Sequence, residues 1–245
     1  MHQATALSAL GNNPRKFATY FAMTNRLRTE GTANLLAAAE SIGGARLIAQ
    51  SFCGWPFAPV GGPVKDETAP LNPAPPAALH GTLEAIVRLE QLVTESGHGV
   101  VLRYGALYGP GTSLAADGPQ ITAIRKRRLP LVGNGDGVAS YTHVADAATA
   151  TAAALTHGDG VYNIVDDEPA AFREWLPHVA DLLGAKRPRR VPVWLARIAA
   201  GQAAVYLMTQ SRGGSNARAK NDLSWEPSFA TWRDGFRAEL AGSSR

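Results

Sequence analysis

Ser51, Tyr108, His143 and Arg103 are the side chains whose type and position could do chemistry. Ser51 closes a β-rich run at 45–52, where its hydroxyl can bond either a ligand or the local backbone. Tyr108 precedes the Gly109-Pro110 turn that follows another such run. Loops after strands hold ligands in open α/β sheets, and they also hold packing residues. His143 and Asp146 have a metal-compatible spacing, but no Cys, His or carboxylate cluster completes a metal site. A structural histidine ahead of a helix capped by Asp146 is the plainer reading. Arg103 lies inside an apolar run, so it needs a partner, either a carboxylate or a ligand.

Several chemistries lack their motif. There is no Gly-x-Ser-x-Gly elbow for a serine hydrolase and no P-loop lysine. The Gly-Asn-Gly-Asp-Gly run at 133–137 lacks dinucleotide spacing and reads as a turn. None of the six tyrosines is followed four residues on by lysine.

These residues sit in a chain of 245 residues, 45% hydrophobic and 18% charged, enough for one core with a smaller appended lobe. The lone Cys53 excludes an internal disulfide and fits a reducing compartment such as the cytoplasm. The opening Met-His-Gln-Ala-Thr-Ala-Leu-Ser-Ala-Leu is too polar for a signal peptide. Residues 191–208 are too short and too polar to span a bilayer, so no membrane partner is expected. The net charge is +4, with basic runs at 125–128 and 186–190. No aromatic residue interleaves them, so they read as solvated helix ends or loops, with a small ligand's phosphate next; nucleic acid is not expected.

Helical spacing at 26–42 ends at Gly43-Gly44, a strand follows at 45–52, and a proline-rich loop fills 53–76. A helix at 77–96, a strand at 99–107, a helix at 145–156 and a strand at 161–165 complete the alternation. This pattern predicts an α/β parallel sheet with right-handed crossovers, followed from about Phe172 by a mainly helical lobe.

In order, Thr24 to Ala39, Ala49 to Pro56, Leu102 to Gly111, Val132 to Leu155 and Ser215 to Phe236 resemble the extended short-chain dehydrogenases/reductases, the epimerase/dehydratase group, in its atypical branch. The resemblance implies an incomplete Rossmann-like sheet with helices on both faces over 1–170, a substrate lobe over 171–245, and NAD or NADP as cofactor. The opening residues resemble the end of the family's fourth strand, which implies a truncated member lacking the glycine-rich phosphate turn. An exposed sheet edge would then favour a homo-oligomer.

On this register Ser51 takes the place of the hydroxyl that bonds the substrate carbonyl, and Trp55 replaces a tyrosine. Ala4, Thr5, Ser51, Tyr104 and Gly105 would line the nicotinamide, while Trp55, Tyr108 and His143 would face substrate. The family's Tyr-x-x-x-Lys works because the ammonium lowers the phenol pKa for proton exchange. With Glu90 in the place of the glutamate that follows this motif, the pair falls on Thr82 and Ile86. The reading is an NAD(P)-dependent oxidoreductase or epimerase-like protein acting on a nucleotide sugar or related carbonyl compound, with Ser51 and Thr82 at the catalytic positions. The alternative is a pseudoenzyme that binds a metabolite or protein partner.

Overall fold

The computed structural model describes residues 1–6 and 16–241, so Leu7 to Leu10 of the opening run lie outside the described residues. One helical stretch runs through α1 (Phe17–Arg26), a π turn (Leu27–Gly31) and α2 (Thr32–Ser41). It ends as the sequence indicates: Gly43 and Gly44 take φ of 88° and 86°, and the Gly44 N–H donates to the Ala39 carbonyl at 2.9 Å. Then come β1 (Ile48–Phe52), β2 (Val64–Lys65), α3 (Ala77–Glu95), β3 (Val100–Tyr104), β4 (Ala106–Tyr108), α4 (Pro119–Arg125), β5 (Leu131–Val132), β6 (Val138–Ala139), β7 (Tyr141–His143), α5 (Val144–Ala153) and β8 (Gly160–Ile164). The remainder is β9 (Ala170–Ala171), α6 (Phe172–Leu182), β10 (Arg190–Val191), α7 (Val193–Gln210), β11 (Gly213–Gly214), α8 (Ala217–Leu223) and α9 (Trp232–Ala241).

The central sheet runs β1-β3-β8, all parallel, and His2 adds a parallel bridge to Ala49 outside β1. Alternate side chains feed two cores, as the two-residue strand period requires. Ala49, Val101 and Val161 pack under α2 and α3 through Leu36, Leu89 and Val93. Ile48, Leu102, Tyr104 and Ile164 pack on the other face against Ala150 of α5 and Ala219 and Leu223 of α8. This is the expected α/β Rossmann-like sheet with helices on both faces. The helical C-terminal region does not keep to itself: α8 closes the sheet, and β9, β10 and β11 pair with β6, β5 and β2.

Between β3 and β4 the chain leaves the main sheet to pair with β7. Gly105 makes this crossing possible, because an added Cβ would lie 2.5 Å from the Ser140 carbonyl oxygen. Gly105→Ala is therefore expected to lower stability by roughly 1–3 kcal/mol, as overpacking does. Urea denaturation measures it, and an unchanged midpoint would refute the close approach.

Candidate functional site

Ser51 and Arg103 are register partners near the C-terminal ends of β1 and β3, so both side chains rise toward α3. There Glu90 receives them. Ser51 Oγ donates to Glu90 Oε1 at 2.7 Å, Arg103 Nε donates to the same oxygen at 2.8 Å, and Arg103 Nη2 donates to Oε2 at 2.5 Å. The partner that Arg103 needed is thus a carboxylate, held bidentately. The guanidinium carbon also lies 5.5 Å from the centre of the Phe57 ring. A second guanidinium, Arg28, is buried nearby from the π turn; burial lowers its pKa to about 10, against the opposing pull of Glu90. The Nη1 atoms of Arg28 and Arg103 are buried and have no acceptor. Glu90 is thus paired with Arg103 and acts on the second buried cation, Arg28, at longer range.

Thr82, Ile86 and Glu90 lie on one stripe of α3, four residues apart, and all three are buried. Asn25 Nδ2 donates to Thr82 Oγ1 at 3.2 Å, while Asn25 Oδ1 is buried without a partner. Eight residues of helix rise about 12 Å, so Ser51, bonded to Glu90, does not meet Thr82 in a hydrogen bond. The isoleucine between them offers no charge. Five of the six tyrosines are moved away from activation as well. Tyr104, Tyr108, Tyr141, Tyr162 and Tyr206 are all pushed above the usual phenol range, burial being the leading cause each time.

Among the other expected site residues Tyr108 and His143 meet nearly edge to face, with ring centres 5.1 Å apart. Ala4 and Thr5 are exposed past the His2 bridge. Tyr104 and Gly105 are engaged internally: the Tyr104 carbonyl accepts from Cys53 N–H at 2.8 Å, its hydroxyl bonds Thr151 Oγ1 at 2.5 Å, and Gly105 N–H donates to Thr142 Oγ1 at 3.0 Å. Trp55 is buried in an apolar cluster with Leu79, Leu83 and Ile86, and its carbonyl accepts from the Tyr206 hydroxyl at 3.1 Å. Tyr108 is fully buried and stacks on Phe236 with ring centres 4.5 Å apart, its hydroxyl unpartnered.

His143, and not Asp146, caps α5: its Nδ1 accepts from Ala145 N–H at 3.2 Å, leaving Nε2 to donate to Glu239 Oε1 at 3.1 Å. Asp146 instead accepts from Ser228 N–H at 2.8 Å, tying α5 to the segment before α9. Cys53 is buried, and burial pushes its thiol up, away from reactivity. Among the described residues no group of three or more His, Cys, Asp or Glu could hold a metal ion.

Arg28, Asn25 and Asp166 were missed in the sequence. Thr24, Arg28 and Thr32, all buried, share a spacing of four that marks an inward stripe and could have flagged the arginine. Asp166 gives no such signal. It lies beside the aromatic cluster of Tyr108, Tyr141 and Trp232, where burial pushes its carboxyl up to about 8 and Oδ2 has no partner.

Residues 3–165 match the family described as NAD dependent epimerase/dehydratase. A Streptomyces protein named 3-diazoavenalumate denitrifying reductase is 45% identical over 242 residues, covering 98% of this chain and 78% of the relative. The human epimerase family protein SDR39U1 (isoform 2), solved with NADPH, superposes with a TM-score of 0.77 at 18% identity, covering 97% of this chain and 79% of that one. UDP-glucose 4-epimerase from Thermotoga maritima, solved with UDP-glucose, gives 0.71 at 20% identity, covering 95% and 74%. At these identities the solved structures speak for the fold alone.

Proposed function

The chain belongs to the NAD dependent epimerase/dehydratase family, whose members depend on NAD(P), and from that premise we propose that it is a reductase whose substrate gives up nitrogen when it accepts hydride. The observation that carries this reading is the buried Thr82-Ile86 pair on α3, where the family's phenol and ammonium would stand. Reduction of a carbonyl must deliver a proton to the oxygen as hydride reaches carbon. No side chain at these positions can do so. Exchange of hydride for dinitrogen makes no such demand, and a 45% identical relative carries the name of a denitrifying reductase of a diazo compound.

The described residues fit the nicotinamide half of a dinucleotide better than the adenosine half. Ala4 and Thr5 are exposed at a strand end, and Asn25 Oδ1 is a buried acceptor lacking its donor. No glycine-rich strand-to-helix turn occurs among the described residues. When bound, the reduced dinucleotide supplies the hydride; in the net change a carbon–hydrogen bond replaces the carbon–nitrogen bond, whose electron pair leaves with dinitrogen.

The chain's own residues contribute position and dryness. Trp55, Leu79 and Ile86 keep water from the α3 face, and Glu90 fixes Ser51 and Arg103 on β1 and β3. Ser51 is thereby a positioning residue on β1, and its hydroxyl proton is already committed to Glu90.

A nucleotide sugar or related carbonyl compound is the second reading, favoured by the ordered substrate-side phrases between Leu102 and His143. The two are separated by supplying NADPH or NADH with either an arenediazonium carboxylate or UDP-glucose. Reductant-dependent release of dinitrogen from the first is the expected result. Turnover of the sugar nucleotide alone would overturn the proposal, and dinucleotide binding with no turnover of either would return the non-catalytic alternative.

A further inference from the structure

We propose that the face formed by the two basic runs and the first half of α7 docks the protein onto an anionic lipid surface. The runs at 125–128 and 186–190 are far apart in sequence, yet the fold sets them side by side. Pairing of β5 with β10 puts Leu131 beside Arg190, and Arg127 Nε donates to the Arg187 carbonyl at 2.7 Å. All the lysines and arginines of both runs are exposed. Among the described residues Arg187 alone of them has a carboxylate within ion-pair distance, Asp181 at 3.5 Å, and both members of that pair are exposed. The patch therefore carries almost its full positive charge.

Directly after β10 the chain enters α7, whose first half presents Trp194, Leu195 and Ile198 at 65%, 42% and 61% exposure. Ala196, packed with Val132 and Val205, fastens this segment to the body. Gly201, at φ 87°, breaks the helix, so that Val205 and Tyr206 in the second half are buried while the first half stands clear. Trp194 is the one exposed tryptophan among the five, all of which are described.

Exposed tryptophan and aliphatic side chains beside a row of cations match the layered chemistry of a membrane interface. The apolar groups enter the acyl boundary, the indole sits at headgroup level, and the cations face anionic headgroups. A nucleic acid would leave the contiguous Trp194-Leu195-Ile198 cap in water. No helix of the described residues is long and apolar enough to cross a membrane, so the helix lies on the surface. This departs from the sequence-based expectation of no membrane partner.

The test uses the full chain with phosphatidylcholine vesicles, with and without about 30% phosphatidylserine. Sedimentation with the anionic vesicles alone is expected, weakened by salt, together with a blue shift of tryptophan emission and loss of acrylamide quenching. Replacing Arg125, Lys126 and Arg128 together by Gln should weaken binding roughly fivefold per residue, the equivalent of about 1 kcal/mol each. The Trp194→Ala/Ile198→Ala pair should abolish the emission shift with an unchanged melting temperature. Equal binding to neutral vesicles, or unchanged binding by both variants, would overturn the proposal. So would capture by a polynucleotide or an acidic protein without any vesicle binding.

Discussion

Glu90→Gln should cost about 3–5 kcal/mol of folding free energy, the range for removing one partner of a buried ion pair. The substitution keeps the shape and a hydrogen-bond acceptor for Ser51, but it leaves Arg28 and Arg103, both buried, with no opposing charge between the strands and α3. Replacing Glu90 and Arg103 together by Leu and Met should be milder than the single change, because the uncompensated charge falls from two guanidiniums to one. Urea denaturation of both variants near pH 7 measures the difference. A single variant within about 1 kcal/mol of the parent would mean that solvent already reaches the pair.

Asp166→Asn should act in the opposite direction, and only above a certain pH. In the fold this carboxyl holds its proton to about pH 8, because burial disfavours the anion and Glu168 and Asp167 repel it, while backbone N–H groups only partly offset this. In the unfolded chain it releases that proton near its ordinary value of 3.8. Between those two values the folded state binds the extra proton, so stability falls as pH rises, by up to about 1.4 kcal/mol per unit, and levels off above about 8. Asparagine can accept from the Glu168 N–H as Asp166 Oδ1 does, and it presents its amide where the unpartnered Oδ2 now lies. The variant should melt higher than the parent at pH 8, with an upper limit of order 5 kcal/mol, and the two should converge near pH 4. A parent whose stability rises steadily from pH 5 to pH 8 and is matched throughout by the variant would show that Asp166 ionises freely.

Much of the frame could be read from the chain because it rests on local signals. The paired glycines at 43 and 44 stop a helix, and the short apolar runs around Ile48, Leu102 and Ile164 have the length and near-continuous apolar character of buried parallel strands. The π turn was hidden, since Leu27–Gly31 contains neither proline nor a run of small residues, and the bulge is set by packing against α3 and by His2 Nε2 bonding the Leu27 carbonyl at 2.9 Å. The need of Arg103 for a partner was legible, because an arginine in an apolar strand cannot stand alone. That the same carboxylate would hold Ser51 was not, since it depends on the β1–β3 register. The meeting of the two basic runs was equally out of reach, for it hangs on a strand pair of two residues each.

The proposed reduction needs hydride but no proton from Thr82, and one labelling experiment tests this directly. An arenediazonium carboxylate is turned over with unlabelled NADPH in D₂O by the parent and by Thr82→Val. The expected product lacks nitrogen, carries no deuterium on the carbon that held it, and forms at a rate that the substitution changes by no more than about twofold. Deuterium at that carbon, retained nitrogen, or a collapse of the Thr82→Val rate at unchanged stability would contradict the proposal.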